Sequence, residues 1–198
     1  MGDNEKNLSE KGRLLSEYPN RIFTIPNMLT FLRFILLPVL IYFLDTVDRH
    51  GYTPPVLVGS LMILTDLLDG ILARKLNQFS RLGVILDPVF DKIIISALAI
   101  YFAYKDMIPD WVAIVVVARD VAILIFGLFI VAKGYAPQPV LWGRLWAFLW
   151  GVAFILLLVG YNWLAWSLIV VALILGFFSA GNYYVMYLKN LEEAKSNK

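Results

Sequence analysis

The chain has 198 residues, of which 60% are hydrophobic and only 16% charged, and its mean hydropathy is +0.74. Soluble domains average roughly 45–50% apolar and about 25% charged residues. The composition therefore excludes a water-soluble enzyme and a disordered chain. The absence of cysteine excludes disulfide-stapled domains, thiolate catalysis and sulfur-ligated metals, and one histidine, His50, cannot form a histidine cluster. We predict a membrane protein whose chemistry depends on carboxylates, hydroxyls, arginine and lysine.

Six apolar segments are long enough to cross a hydrocarbon core of roughly 30 Å as helices. In chain order they are Asn27–Leu44, Pro55–Leu76, Leu82–Tyr104, Asp110–Ala132, Val140–Tyr161 and Trp163–Leu188. Backbone groups inside lipid must be satisfied within their own segment. Each segment is therefore expected to be a helix, and short connections make consecutive helices antiparallel. We expect an all-α, polytopic membrane protein of six transmembrane helices. One domain, residues 25–188, is expected between an N-terminal segment, 1–24, and a cytoplasmic tail, 189–198.

Lysine and arginine are distributed unequally between the two ends of the predicted helices. One end has only Arg49 and Lys105. The other end has Lys6, Lys11, Arg13, Arg21, Arg74, Lys75, Arg81, Lys133, Arg144, Lys189, Lys195 and Lys198. The positive-inside rule then predicts that both termini are cytoplasmic. The segment Met1–Arg21 is expected to be either a short surface helix or a frayed tail, and no nucleic-acid partner is expected.

Four aspartates lie within predicted spans, where each costs at least ~2.5 kcal/mol. Asp66 and Asp69 are three residues apart and Asp87 and Asp91 four apart, so each pair shares a helix face. A short turn at residues 77–81 would bring the two acidic faces together. Four converging carboxylates cannot all stay ionised in a poor dielectric unless cations join them. Two divalent ions bound by these oxygens would balance the charge.

Small residues and one arginine accompany the aspartates. Gly70, Ala73 and Gly83 expose backbone on the acidic side of both helices, which permits close packing or the approach of a flat ligand. Arg74, one turn beyond Gly70, can donate to a phosphate in a bidentate manner. Carboxylates, metal ions, arginine and glycine together are typical of pyrophosphate cleavage.

The combined pattern is Asp66-x2-Asp69-Gly70-x2-Ala73-Arg74-x8-Gly83-x3-Asp87-x3-Asp91. It resembles the signature of the CDP-alcohol phosphatidyltransferases at all eight specified positions. The segment from Ile25 to Arg33 resembles the first span of the phosphatidylglycerophosphate and cardiolipin synthases in this family. Ala118-Arg119-Asp120 resembles the Arg-acidic pair of their fourth span.

This resemblance implies a homodimer in the inner membrane, with a cytoplasm-facing site that holds two divalent cations, Mg²⁺ or Mn²⁺. The donor would be CDP-diacylglycerol, and an acceptor alcohol would displace CMP. The implied metal ligands are Asp66, Asp69, Asp87 and Asp91, of which Asp91 is also the implied general base. The implied CDP pocket comprises Thr65, Gly70, Ala73, Arg74 and Gly83, although Thr65 could equally only fill space.

The acceptor is less well specified. Arg119, Arg144 and Arg33 could bind the phosphate of glycerol 3-phosphate, which we rank first. The glycerophosphate synthases usually carry Gly-Lys-x-Lys-Thr in the fifth span, whereas this chain has Gly143-Arg144-Leu145-Trp146-Ala147. Phosphatidylglycerol, the acceptor of cardiolipin synthases, is the alternative, followed by inositol phosphate or serine. Arg119 with Asp120 could instead be a structural ion pair, and Arg144 an interfacial anchor.

Two other classes of protein use intramembrane carboxylates. An intramembrane prenyltransferase also binds a metal–pyrophosphate through paired aspartates, but it needs about nine spans and lacks the Gly70-x2-Ala73-Arg74 continuation. A cation transporter would need polar residues towards the outer face. The outer halves of the second and third spans offer little beyond Ser60 and Ser96, which favours an enzyme.

Overall fold

The computed structural model describes residues 15–21, 23–76, 80–134 and 141–196. Within these ranges all the regular structure is helical, which confirms the all-α prediction. The α-helices are α1 (Ile25–Asp45), α2 (Val47–His50), α3 (Thr53–Lys75), α4 (Arg81–Tyr104), α5 (Asp110–Ala132), α6 (Leu141–Val159) and α7 (Asn162–Ser196), and a 3₁₀ turn covers Leu15–Glu17. Each of the six predicted apolar segments overlaps with one long helix. The predicted turn at 77–81 falls mostly on residues outside the described ranges.

Capping side chains explain where the two helices nearest the aspartates begin. The Thr24 hydroxyl accepts a hydrogen bond from the Asn27 amide at the start of α1, where Pro26 also favours helix initiation. The Ser80 hydroxyl accepts from the Gly83 amide at the start of α4. Helix α7 continues through Ser196, eight residues beyond the predicted apolar segment that ends at Leu188.

Large aromatic side chains form part of the core where α4 and α6 meet. Phe102 of α4 stacks on Phe154 of α6, with ring centroids 4.7 Å apart. Trp150 of α6 is fully buried and contacts Trp146 one turn earlier in a T-shaped arrangement. Helix α1 packs mainly on α3 and also on α4. This packing gives α1 access to both helices that carry the paired aspartates.

Large apolar side chains cover much of the outer surface. Examples with more than half of the side chain exposed are Ile35, Leu57, Ile114, Phe129 and Trp163. Soluble monomers rarely expose contiguous apolar patches of more than a few hundred Å². Among the described residues, α1 and α5 are long and apolar enough to cross a membrane. These features are consistent with a membrane protein.

Backbone hydrogen bonds join the N-terminal segment to one end of the bundle. The Leu15 amide donates to the Gly134 carbonyl at 2.8 Å, and the Arg81 amide donates to the Pro19 carbonyl at 3.1 Å. Leu15 itself is only 2% exposed. Residues 15–21 therefore lie at the end of the bundle where α4 begins and α5 ends.

An ion pair joins α1 to α4 at the opposite end. Lys105, which follows α4, lies 2.7 Å from Asp45, the last residue of α1. The Tyr101 hydroxyl donates to the same carboxylate at 3.1 Å. The hydrogen bond to Asp45 raises the pKa of Lys105. Both side chains are well exposed, so this pair is expected to contribute little to stability.

Candidate active site

Three helices each contribute side chains to one polar cluster. Asp66 and Asp69 lie on α3, Asp87 and Asp91 on α4, and Arg33 on α1. The i, i+3 and i, i+4 spacings place each aspartate pair on one helix face. Because α1 packs against both α3 and α4, its inward face brings Arg33 between the two pairs.

The guanidinium group of Arg33 forms ion pairs with all four aspartates. Its Nη1 donates to Asp91 Oδ1 at 2.6 Å and also to Asp66 Oδ1. Its Nη2 donates to Asp87 Oδ1 at 2.9 Å and also to Asp69 Oδ2. The structure therefore brings the four predicted aspartates together at one point. It also places Arg33, predicted as an acceptor ligand, among them.

The cluster is largely removed from solvent. The side chain of Arg33 is 4% exposed and that of Asp69 is 8% exposed, while those of Asp66, Asp87 and Asp91 are between 26% and 35% exposed. Among the described side chains, the guanidinium of Arg33 therefore pairs with four carboxylates in a partly desolvated site. Taking carboxylates out of water is costly unless cations pair with them.

The donor set of the cluster suits a hard divalent cation, because such ions prefer carboxylate oxygens. Among the described residues, no three His, Asp or Glu side chains have the geometry of a metal site. In this structure the Arg33 guanidinium lies between the carboxylates. The chemistry of the four carboxylates nevertheless fits a divalent ion.

Three further residues, Thr30, Asn27 and Ser80, support this cluster through hydrogen bonds. The Thr30 hydroxyl donates to Asp87 Oδ1 at 3.0 Å. The side-chain amide nitrogen of Asn27 donates to the Ser80 hydroxyl at 2.9 Å, which links the starts of α1 and α4. Thr30 and Arg33 are three residues apart and therefore share a helix face. This spacing is the sequence signal that could have identified Thr30 as part of the cluster.

The residues predicted for the CDP pocket are only partly described. Thr65 is buried, and its hydroxyl donates to the Met62 carbonyl of its own helix at 2.9 Å. Gly83 packs against Asn27 and the Ser80 hydroxyl, so closely that a β-carbon would overlap the Asn27 side chain. Positions 70, 73 and 74 lie on α3, but the side chains of Ala73 and Arg74 and the surroundings of Gly70 are outside the described part.

A second buried polar group lies on α5. Arg119 Nη1 donates to Asp120 Oδ1 at 2.8 Å, and the Ser96 hydroxyl of α4 donates to Asp120 Oδ2 at 3.2 Å. The Arg119 guanidinium stacks on the Trp146 ring at 3.8 Å. Gly176 of α7 provides room for this stack, because a β-carbon there would lie 2.9 Å from Trp146 Nε1. The side chain of Arg144 lies outside the described residues.

An apolar cavity of about 90 Å³ adjoins the carboxylate cluster. Its polar end is formed by Arg33, Asp66 and Asp91, and its far end reaches Leu44 and Phe102. The lining side chains come from α1, α3, α4 and α6. A charged cluster therefore continues directly into an apolar space inside the bundle.

Comparison with known proteins gives a consistent picture. The profile of the CDP-alcohol phosphatidyltransferase family matches residues 23–178. A CDP-diacylglycerol–glycerol-3-phosphate 3-phosphatidyltransferase of Aquifex aeolicus is 34% identical over 122 residues, which cover 61% of this chain and 67% of the relative. A putative cardiolipin synthase of Mycobacterium bovis is 31% identical over 85% of this chain and 80% of its own length. The human cardiolipin synthase (CMP-forming) is 43% identical over 59% of this chain and 38% of its own length.

Proposed function

The chain belongs to the CDP-alcohol phosphatidyltransferase family, and on that premise we propose that it transfers a phosphatidyl group from CDP-diacylglycerol to glycerol 3-phosphate and releases CMP. The observation that carries this proposal is the convergence of Asp66, Asp69, Asp87 and Asp91 on one point. Membrane location and phospholipid synthesis follow from the family. Glycerol 3-phosphate as acceptor is supported by the similarity to the Aquifex enzyme.

The four aspartates are proposed to anchor the donor through metal ions. Members of this family generally depend on divalent cations. Asp66, Asp69, Asp87 and Asp91 would hold two such ions, Mg²⁺ or Mn²⁺, which when bound neutralise the pyrophosphate of the donor and stabilise the leaving CMP. Thr65, Gly70, Ala73, Arg74 and Gly83 are proposed to surround the CDP group. Of these, Arg74 has the fork of donors that suits a phosphate.

Asp91 is proposed as the general base of the transfer. Its carboxylate would take the proton of the acceptor hydroxyl as the acceptor oxygen bonds to the phosphorus that carries diacylglycerol. The bond between that phosphorus and the bridging oxygen breaks, and CMP leaves with the electron pair. In the structure Asp91 lies at the junction of the carboxylate cluster and the apolar cavity, where polar and lipid groups would meet.

The acceptor phosphate is proposed to be bound by Arg119, Arg144 and Arg33. A specific observation favours phosphatidylglycerol as a second candidate acceptor. Trp146 replaces a lysine of the glycerophosphate synthases, and its ring covers the Arg119 guanidinium. Asp120 forms an ion pair with the same guanidinium. Arg119 is therefore less available to a small phosphate, and the similarity to cardiolipin synthases points the same way.

The arrangement in the membrane is also proposed. Six spans, both termini in the cytoplasm and a site facing the cytoplasm agree with the predicted charge asymmetry. They also agree with the hydrogen bonds that hold residues 15–21 at the end of the bundle where α4 begins. A homodimer in the inner membrane is proposed from the family resemblance. Mass measurement of the detergent-solubilised protein by light scattering tests the dimer.

The acceptor can be identified directly. Purified protein is incubated with CDP-diacylglycerol, Mn²⁺ or Mg²⁺ and either glycerol 3-phosphate or phosphatidylglycerol, and the lipid product is identified by mass spectrometry. We expect phosphatidylglycerophosphate and CMP. Cardiolipin as the main product would establish the second candidate instead. The Asp69→Asn variant is expected to be inactive, and Asp48→Asn, the same substitution at the opposite end of the bundle, serves as the matched control.

A further inference from the structure

Arg33 occupies the position where the proposed function requires metal ions. Its two terminal nitrogens reach one carboxylate oxygen each of Asp66, Asp69, Asp87 and Asp91. A guanidinium group and divalent cations cannot share this space, because both need the same oxygens. The positive charges of the guanidinium group and the metal ions would also repel each other strongly at such close range, because water is largely excluded.

Arg33 borders open space into which its side chain could turn. Its Nε has no hydrogen-bond partner among the described residues, although it is buried. The side chain borders the 90 Å³ cavity, which has room for a few water molecules. A change of rotamer towards this cavity would break the ion pairs to the carboxylates.

We propose that Arg33 is a displaceable counterion, which holds the four carboxylates together before metal binds and competes with the divalent cation for them. This inference rests on the proposed function, because it requires that the cluster bind metal. In this role Arg33 positions the carboxylates before metal binds, and it comes in addition to the proposed contact of Arg33 with the acceptor phosphate. By this competition Arg33 weakens metal binding when no nucleotide is present. Before metal binds, its positive charge reduces the repulsion among the four carboxylates.

Lys92 provides a matched control for charge. It follows Asp91 in the chain and carries the same charge as Arg33. However, among the described contacts it forms no ion pair with any of the four carboxylates. Removing Lys92 therefore changes the electrostatic potential near the cluster without removing a competitor from between the ligands.

The test measures the binding of Mn²⁺ to EDTA-treated protein without nucleotide. The concentration of free Mn²⁺ is determined by electron paramagnetic resonance. We expect Arg33→Gln to bind Mn²⁺ about tenfold or more tightly than the wild type, and Lys92→Gln to change the affinity much less. The melting temperature of Arg33→Gln should fall in EDTA and recover with Mn²⁺. Unchanged or weaker binding by Arg33→Gln, or an equal gain in Lys92→Gln, would overturn the inference.

Arg33→Lys keeps the inference testable if Arg33→Gln does not fold. The compact ammonium group keeps the charge but cannot span four carboxylates, so Mn²⁺ should bind more tightly than to the wild type. Equal or weaker binding by Arg33→Lys contradicts the competition. If the wild type itself binds no Mn²⁺ at saturation, the proposed metal site fails, and the inference fails with it. If the wild type binds Mn²⁺ but the Arg33 variants bind it no more tightly, the inference about Arg33 is refuted and the proposed metal site stands.

Discussion

Gly83 at the start of α4 leaves no room for a β-carbon beside the side-chain oxygen of Asn27 in α1. Asn27 is 4% exposed and is held there by hydrogen bonds with Ser80. This contact sets the separation of α1 and α4 a few residues before Arg33 and Asp87 form their ion pair. Gly83 therefore has a packing role in addition to its proposed place in the CDP pocket.

The Gly83→Ala substitution is expected to destabilise the protein by about 1–3 kcal/mol, because the added methyl group overlaps Asn27. Thermal unfolding in detergent measures this effect. Gly127→Ala is the matched control, since a β-carbon there meets nothing within 4 Å. In an Asn27→Ala background the cost of Gly83→Ala should be much smaller. Equal costs in both backgrounds would contradict the packing role.

Thr30 is expected to orient Asp87 for metal binding, because its hydroxyl donates to that carboxylate at 3.0 Å. Thr30→Val keeps the shape and removes the donor, at a cost of about 0.5–1.5 kcal/mol. The divalent cation concentration that gives half-maximal activity should therefore rise about three- to tenfold. Thr30→Ser, which keeps the hydroxyl, should resemble the wild type. A normal metal dependence of Thr30→Val would show that this hydrogen bond is not used.

Asp91 and Asp69 are expected to differ in their roles. Asp91→Asn removes the proposed base, so turnover should fall by about 10²–10⁴-fold, while binding of CDP-diacylglycerol stays measurable. Asp69→Asn should lose donor binding together with metal dependence. Equilibrium binding of labelled CDP-diacylglycerol, measured beside the rate of CMP release, separates the two effects. Unimpaired turnover of Asp91→Asn would remove this residue as the base.

Arg119 and Asp120 test whether the second polar group is structural. Asp120 is 1% exposed, so Arg119→Gln leaves a buried carboxylate without this partner and should cost about 3–5 kcal/mol. The double variant Arg119→Gln/Asp120→Asn removes both charges and should recover much of the loss. If Arg119→Gln instead melts normally and raises only the KM for glycerol 3-phosphate, Arg119 binds the acceptor and is not needed for stability.

The sequence predicted the helices because apolar runs of this length have few alternatives in a membrane. The boundaries of α5, Asp110–Ala132, were predicted without error. The end of α7 was not, since Leu191, Glu192, Glu193 and Ala194 are good helix formers that continue the helix beyond the apolar span. The polar composition of this stretch suggested a separate tail.

The convergence of the four aspartates was also predictable, because their spacing on two neighbouring helices leaves few other arrangements. The place of Arg33 was not, since it depends on the rotation of α1 against α3 and α4. The sequence did not predict the ion pairs of Arg33 with all four carboxylates, and its contact with the acceptor stays a prediction. The burial of Leu15 against Gly134 also depends on contacts between distant segments.

The anomalous scattering of Mn²⁺ in crystals grown with CDP-diacylglycerol tests the central claim most directly. We predict anomalous peaks in contact with the carboxylate oxygens of Asp66, Asp69, Asp87 and Asp91 and with the pyrophosphate of the bound donor. A bound donor with no Mn²⁺ peak among these four carboxylates would contradict the claim that they form the metal site of a phosphatidyltransferase.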